Sequence, residues 1–351
     1  MSGRRRNILF ICGSRNQTTQ MHQIARHLPA HVHTFTPYYL EPHHELIRAP
    51  GLLDWTIAGE PLRRRCLDYL RAEGLTVDLG GRRGPYDLVV TCSDLMVPRN
   101  VRGAKLVLVQ EGMLDPPNPL FWAAKNLRWF PKYLAGTAAT GLSHAYDLFC
   151  VASEGYRAHF LGNGCDPEKV IVTGIPNFDD CQRYYANDFP HRGYVLVCTS
   201  DARETGKRDD RRGFIEHARR VADGRPMVFK LHPNEKRDRA EQEIQAWAPG
   251  SLVYQEGSAE EMIANCDALV CQYSSVVYIG LALGKECHSY FDMDELRKLA
   301  PVQNGRAAEN IAEHIQALLA RDVTWSIGAG RPRAPTGSSL GHAAARVAEV
   351  G

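Results

Sequence analysis

The 351-residue chain lacks several features that would mark common protein classes. Its ten cysteines form no Cys-x-x-Cys pair, and no Cys/His spacing matches a zinc site. They read as free thiols, which points to a reducing compartment. No Walker sequence is present. The loop after the first apolar run, Gly13-Ser-Arg-Asn-Gln-Thr-Thr-Gln20, carries one glycine where a dinucleotide fingerprint needs three. NAD-dependent and ATP-hydrolysing chemistries are therefore disfavoured. Long apolar runs are missing too. The longest, 268–284, is interrupted by Gln272, Ser274 and Ser275 and falls short of the ~20 residues that span a bilayer. The N-terminal Met-Ser-Gly-Arg-Arg-Arg leads into an apolar run too short for a signal-peptide core. A cytoplasmic location is the expectation. Charge of one sign is not in excess, since Lys plus Arg outnumber Asp plus Glu by only two. This excludes a protein built chiefly to coat a nucleic acid polymer.

What is present is an ordinary globular composition, 44% hydrophobic and 23% charged, over enough chain for two domains. Short β-rich apolar runs alternate with helical patterns, as in parallel βαβ units. Strands are expected at 7–12, 31–36, 87–92, 105–109, 147–152 and 170–173. A second series follows at 194–198, 227–231, 252–254, 268–270 and 287–291. Helical periodicity falls at 17–28, 61–73, 154–161, 212–223, 235–247, 259–265, 276–283 and 307–320. The polar, aromatic stretch 177–193 has no clear period and precedes a fresh strand, which predicts a domain break there. The expected partition is 1–178, 179–327 and a Gly/Pro/Ser-rich flexible tail over 328–351, with a weak last helix near 342–350. Two open α/β sheets joined in this way bind ligands at the carboxyl ends of their strands.

Five segments carry candidate chemistry at such ends. Tyr273-Ser274-Ser275 lies between a buried strand and a helix, where hydroxyls cap backbone N–H groups and an anion such as a diphosphate can sit. In Phe229-Lys-Leu-His-Pro-Asn-Glu235 the proline ends the strand and presents His232, whose imidazole can donate to a phosphate. Glu111 follows the run 105–109 and precedes Gly112, a placement suited to a general base on a hydroxyl. Asp94, after the run 87–92, is the competing carboxylate. Ser14 and Arg15 follow the first strand, and Arg15 would bring an obligate cation. Thr199, Ser200 and Arg203 follow the first strand of the second half and could meet a diphosphate from the side opposite Ser274.

In this order the segments resemble the GT-B glycosyltransferase superfamily, nearest to UDP-N-acetylglucosamine 2-epimerases and CDP-glycerol glycerophosphotransferases. Cys12-Gly-Ser-Arg-Asn16 is similar to the epimerase Gly-Thr-Arg-Pro-Glu loop. Val170-Ile-Val-Thr-Gly-Ile-Pro-Asn-Phe-Asp179 resembles the Val-x-Val-Thr-Gly-Asn-Pro segment of both families. Arg203-Glu204 resembles part of the epimerase His-Arg-Arg-Glu-Asn, His232-Pro-Asn the shared His-Pro motif, and Gln272-Tyr-Ser-Ser-Val276 the transferase Asp-Tyr-Ser-Ser. The likeness is collinear over about residues 7–320. There are departures. The epimerase Gly-Gly-x-Gln-Glu-Glu has no acidic counterpart in Ser275-Val-Val-Tyr-Ile279. The epimerase Pro-Glu-Glu-x-Asn-Arg motif gives way to Asp115-Pro-Pro-Asn-Pro-Leu-Phe-Trp122. Glu111 stands where the glycerophosphotransferases place their catalytic His.

The resemblance implies an α/β fold of GT-B type, two Rossmann-like domains facing each other across a cleft. It implies transfer of a sugar from a nucleotide-activated donor to a hydroxyl acceptor, a glycan or a lipid-linked one. No resident cofactor is expected, and with no Asp-x-Asp motif marking the cleft no metal is expected. Glu111, His232 and Asp94 are the catalytic candidates. Thr199, Ser200, Arg203, Tyr273, Ser274 and Ser275 would face the donor, and Ser14 and Arg15 the acceptor. Alternatives are a polyol phosphate transferase, a 2-epimerase-like enzyme and a non-catalytic sugar-nucleotide-binding module. The aromatic and basic stretch 120–133 could dock a membrane or a lipid-linked acceptor, or it could be buried packing or a loop over the cleft.

Overall fold

Residues 4–40, 59–127, 129–206 and 208–328 are described by a computed structural model of the chain, with 322–328 as backbone. The first half builds a six-stranded parallel sheet. Its strands are β1 (Asn7–Cys12), β2 (Val32–Pro37), β3 (Leu88–Thr91), β4 (Lys105–Val109), β5 (Leu148–Val151) and β6 (Val170–Val172), in the order β2-β1-β3-β4-β5-β6. The second half builds a five-stranded parallel sheet from β7 (Val195–Cys198), β8 (Met227–Lys230), β9 (Leu252–Tyr254), β10 (Ala268–Cys271) and β11 (Glu286–His288), in the order β11-β10-β7-β8-β9. All eleven expected strands form. The central strands are buried on both faces, which is why they read as continuous apolar runs rather than alternating ones, whereas the edge strands β9 and β11 are only partly covered, with Leu252 and Glu286 exposed.

Each sheet reverses its winding once, between β1 and β3 in the first and between β7 and β10 in the second. These switch points open crevices at the carboxyl ends of the strands. One hydrophobic core spans both sheets. It takes Leu9 and Leu108 from the first, Leu196 and Leu269 from the second, and Phe178 and Tyr278 between them. Inside it, Tyr156 and Tyr278 share a hydroxyl–hydroxyl hydrogen bond of 2.8 Å. Burial pushes the Tyr278 phenol up to about 12, so both hydroxyls stay neutral. The Ser153 hydroxyl donates to Leu299 O at 3.0 Å, and Val302 N donates to Ala152 O at 3.0 Å. The loop after β5 therefore touches the segments after β10 and β11, and the carboxyl edges of the two sheets lie toward each other.

Several boundaries differ from the sequence reading, each for a local reason. The first helix is Arg15–Arg26, starting two residues early because the Ser14 hydroxyl accepts from Gln17 N at 3.2 Å and caps it. β11 ends at His288 because the Ser289 hydroxyl turns to Gln272 O at 2.8 Å. Two helices, Pro119–Asn126 and Met293–Leu299, were not expected; both are short, and Asn118 and Asp292 cap them. The last helix, Ala307–Gly328, runs beyond the expected residue 320. It packs through Ile311, Ile315 and Leu319 against Ile8, Phe10 and Val90 of the first sheet. The chain thus returns to its first half at the end. Asp179, buried in the crossing segment, holds this return by accepting from Asn304 N, Gly305 N and Ala307 N at 2.7–2.8 Å. The tail and the helix near 342–350 lie outside the described residues.

Candidate active site

On the first sheet, the loops after β1 and β4 converge. Glu111 accepts from the Ser14 hydroxyl at 2.7 Å through Oε1 and from Gln17 Nε2 at 2.5 Å through Oε2. Gln17 is buried and folds back over Gly13, where a Cβ would stand 1.9 Å from Gln17 Oε1. Any side chain at position 13 would displace this carboxylate clamp. Gly112 lies beside the Phe178 ring, 3.4 Å from where its Cβ would stand, an ordinary van der Waals contact. Phe178 meets Tyr278 edge to face at 6.2 Å, and Tyr278 lies three residues after Ser275. Two aromatic rings thus connect the Glu111 loop with the Ser274–Ser275 turn. Each Glu111 oxygen keeps a lone pair beyond the bond it already accepts.

Asp94 is placed differently. It is buried, and its carboxylate accepts from Gly141 N at 3.0 Å and Ser143 N at 3.2 Å. Burial raises its pKa above the ordinary 3.8. It anchors the loop ahead of β5. Arg15 is exposed as the first residue of its helix and makes no ion pair among the described residues.

On the second sheet, the switch point between β7 and β10 holds a buried ionic network that the motif reading missed. Arg211, 4% exposed, donates to Glu235 Oε1 at 2.7 Å, to Asp209 Oδ2 at 3.1 Å and to Ser200 O at 3.1 Å. Glu235 also accepts from His232 N at 2.8 Å and from the Thr199 hydroxyl. Gln272 Nε2 donates to Asp209 Oδ1 at 2.8 Å, while Gln272 Oε1 accepts from the Ser200 hydroxyl at 2.6 Å. Thr199 and Ser200 are therefore committed to holding the loops together. Arg203 is committed too, in a bidentate pair with Glu243 at 2.7–2.8 Å. Its charge is already neutralised, so it supports the loop rather than waiting for an anion. The signal for this network was present but scattered. Glu235 lies three residues after His232, and Asp209 and Arg211 flank the start of the helix Arg211–Ala222.

The groups left open are His232, Tyr273, Ser274 and Ser275. The His232 side chain is 40% exposed, with Asp201 Oδ2 at 3.5 Å and Asn234 N at 3.3 Å both approaching Nδ1. Nε2 is the nitrogen that faces away from these contacts. Tyr273 is 63% exposed and packs edge-on against Tyr290 and Phe291. The Ser274 and Ser275 hydroxyls have no protein partner among the described residues. They do not cap the following helix, Val277–Ala282, because it begins two residues past Ser275 with Val276 at its cap. An Asp-x-Asp triplet does occur at Asp292-Met293-Asp294, but Asp292 caps a helix and Asp294 pairs with Arg297 at 2.8 Å. No cluster of three or more His, Cys, Asp or Glu suited to a metal forms among the described residues.

With this geometry in hand, comparison with solved structures decides the architecture. The UDP co-structure of S. aureus MnaA superposes with a TM-score of 0.57 at 13% identity, over 90% of this chain and 97% of that one. A UDP-N-acetylglucosamine 2-epimerase superposes with 0.54 at 13% identity, over 95% and 100%. The wall teichoic acid polymerase TagF gives 0.52 at 10% identity, over 92% and 90%. The chain has the GT-B fold. The expected likeness to 2-epimerases and to a teichoic acid enzyme is found at the level of structure. No sequence-family profile and no curated relative matches the chain. The Glu111 loop follows β4 of the first sheet, and the His232 and Ser274–Ser275 turns follow β8 and β10 of the second.

Proposed function

We propose that this chain is a glycosyltransferase that moves a sugar from a nucleotide-activated donor to a hydroxyl acceptor. The observation that carries the reading is the Glu111 carboxylate, held by Ser14 and Gln17 at the carboxyl end of β4. The uncommitted hydroxyls of Ser274 and Ser275 belong to the other sheet. On this reading the two domains are about 1–178 and 179–327, and the last helix returns to the first. Glu111 takes the proton of the acceptor hydroxyl as its oxygen attacks the anomeric carbon. The new C–O bond forms while the bond to the diphosphate oxygen breaks, and the nucleoside diphosphate carries away the electron pair. Ser274, Ser275 and the outward nitrogen of His232 donate to the departing phosphate, and Tyr273 borders the donor. Oriented donors of this kind stabilise leaving-group charge, and the step as written uses no metal and no resident cofactor.

The structural neighbours support a nucleotide-linked substrate, since they include a UDP complex, a UDP-N-acetylglucosamine 2-epimerase and a teichoic acid polymerase. We infer a cytoplasmic setting. Support comes from the ten free cysteines, nine of them buried. Among the described residues no helix is long and apolar enough to cross a membrane. The deciding experiment is a thermal-shift screen of UDP-, CDP-, GDP- and CMP-sugars, followed by a transfer assay with the stabilising nucleotide. Acceptor-dependent release of the nucleotide, a diphosphate from UDP-, CDP- or GDP-sugars and CMP from a CMP-sugar, together with a glycosylated acceptor supports transfer. Solvent deuterium entering UDP-N-acetylglucosamine without net transfer would show a 2-epimerase instead, and affinity without turnover a binding module.

A further inference from the structure

Exposed large apolar side chains are scattered singly over most of this protein, but not everywhere. Of the eleven among the described residues, six fall within fifteen residues: Leu120, Trp122, Leu127, Trp129, Tyr133 and Leu134. Trp129 is 77% exposed and Trp122 56%. Two tryptophans left in water on one short segment are costly for a free surface and signal a contact. The segment is not loosely attached. Asn118 caps the helix Pro119–Asn126, and Phe121, Ala124, Ala135, Ala138, Ala139 and Leu142 pack into a small core of their own. The inner residues hold the fold, and the outer ones are presented rigidly.

Within the patch the charge is one-sided, and the flanking Asp115 at its base accepts a hydrogen bond from the Thr137 hydroxyl. Residues 116–146 contain no Asp or Glu, and they include Lys125 and Lys132. Lys125 Nζ lies 5.8 Å above the Trp122 ring. Beside the patch opens a cavity of about 700 Å³ whose wall carries Phe130 and Tyr133 with Arg99, Arg102 and Lys132. The acid on that wall, Asp94, is occupied by the N–H groups of Gly141 and Ser143. Aromatic side chains flanked by Lys and Arg match the interface of a bilayer rich in anionic lipid, where indole rings sit at headgroup level and cations meet phosphate.

We propose that the face formed by residues 120–134 docks on an anionic phospholipid bilayer. Docking would set the first domain against the membrane with the segment after Glu111 nearest the lipid, since Asp115 and Thr137 are joined by a 2.7 Å hydrogen bond at the base of the patch. The inference stands apart from glycosyl transfer, because it needs neither donor nor turnover.

The test uses the full chain with vesicles of equal parts phosphatidylglycerol and phosphatidylcholine, against vesicles of phosphatidylcholine alone. Sedimentation with the vesicles and a blue shift of tryptophan emission are the readouts. Binding to the anionic vesicles should be stronger by about tenfold or more and should weaken with salt. The double variant Trp122→Ala/Trp129→Ala should lose about tenfold in vesicle affinity. The pair Leu120→Ser/Trp129→Ser gives a second variant confined to outward side chains, and circular dichroism verifies that both fold. Equal binding to both vesicle types, or anionic binding unchanged in both variants, overturns the proposal. So does a concentration-dependent dimer abolished by the same substitutions, which would make a second copy of the chain the occupant.

Discussion

Ser14 and Glu111 stand 97 residues apart in the chain, yet the Ser14 hydroxyl donates to Glu111 Oε1 at 2.7 Å. The same hydroxyl caps the first helix, so the start of that helix and the aim of the carboxylate are set together. The residue that fixes the helix terminus also orients the candidate base.

That coupling makes Glu111→Gln the decisive substitution for the chemistry. A positioned general base contributes ~10²–10⁴-fold, so turnover should fall by about that factor while donor affinity stays nearly constant. Steady-state kinetics with titration calorimetry would separate the two. Asp94→Asn should leave turnover within a few-fold, because its carboxylate is occupied by backbone N–H groups. The reverse pattern would exchange the roles of the two acids.

Among the described residues, the Ser274 and Ser275 side chains make no protein hydrogen bond that alanine would remove. Hydrogen bonds to a charged phosphate are worth roughly 1.5–3 kcal/mol each. Ser274→Ala/Ser275→Ala should therefore weaken nucleotide binding by at least about tenfold with little change in melting temperature. Unchanged affinity in calorimetry would remove these hydroxyls from the donor site.

The Arg211–Glu235 pair behaves differently, since both side chains are almost wholly buried. Removing one partner of a buried pair strands the other charge and costs roughly 3–5 kcal/mol. Glu235→Ala should show a loss of that order in urea unfolding. Glu243→Ala, which breaks the partly exposed pair with Arg203, should cost less, about 1 kcal/mol. Similar losses in the two variants would mean that the network is not organised around Arg211.

Burial of Asp94 has a consequence for pH. Its folded pKa lies above the ordinary 3.8, so its protonated form is favoured in the folded state. The stability it contributes is complete below 3.8 and is lost as pH rises through the raised folded value. In Asp94→Asn that component is absent. The difference in unfolding free energy, wild type minus variant, should therefore fall as pH rises from 3.8 and then level off. Urea titrations across this range would show it, and a difference that climbs with pH would contradict the assignment.

Much of the architecture was legible in the sequence because parallel strands buried on both faces leave continuous apolar runs. The central strands announced themselves in this way, and the partly exposed edge strands β9 and β11 by short apolar runs; Glu111, His232 and Ser274 lie just after strands. The helix Met293–Leu299 buries only Leu296, so it left too little apolar periodicity to read. The last helix showed its period, but periodicity does not say which sheet receives the apolar face.

The sequence by itself determined the α/β class, the alternation and the set of polar residues at strand ends, because each depends on neighbours in the chain. Only the tertiary structure decided which of those residues stay open and which are consumed. Arg203 looks like a cation for a phosphate until Glu243, 40 residues on, takes both arms of its guanidinium. Asp94 and Glu111 look alike in sequence, but backbone N–H groups enclose one and side-chain donors aim the other. A charged group's availability depends on partners brought close by folding, and spacing along the chain does not encode that proximity.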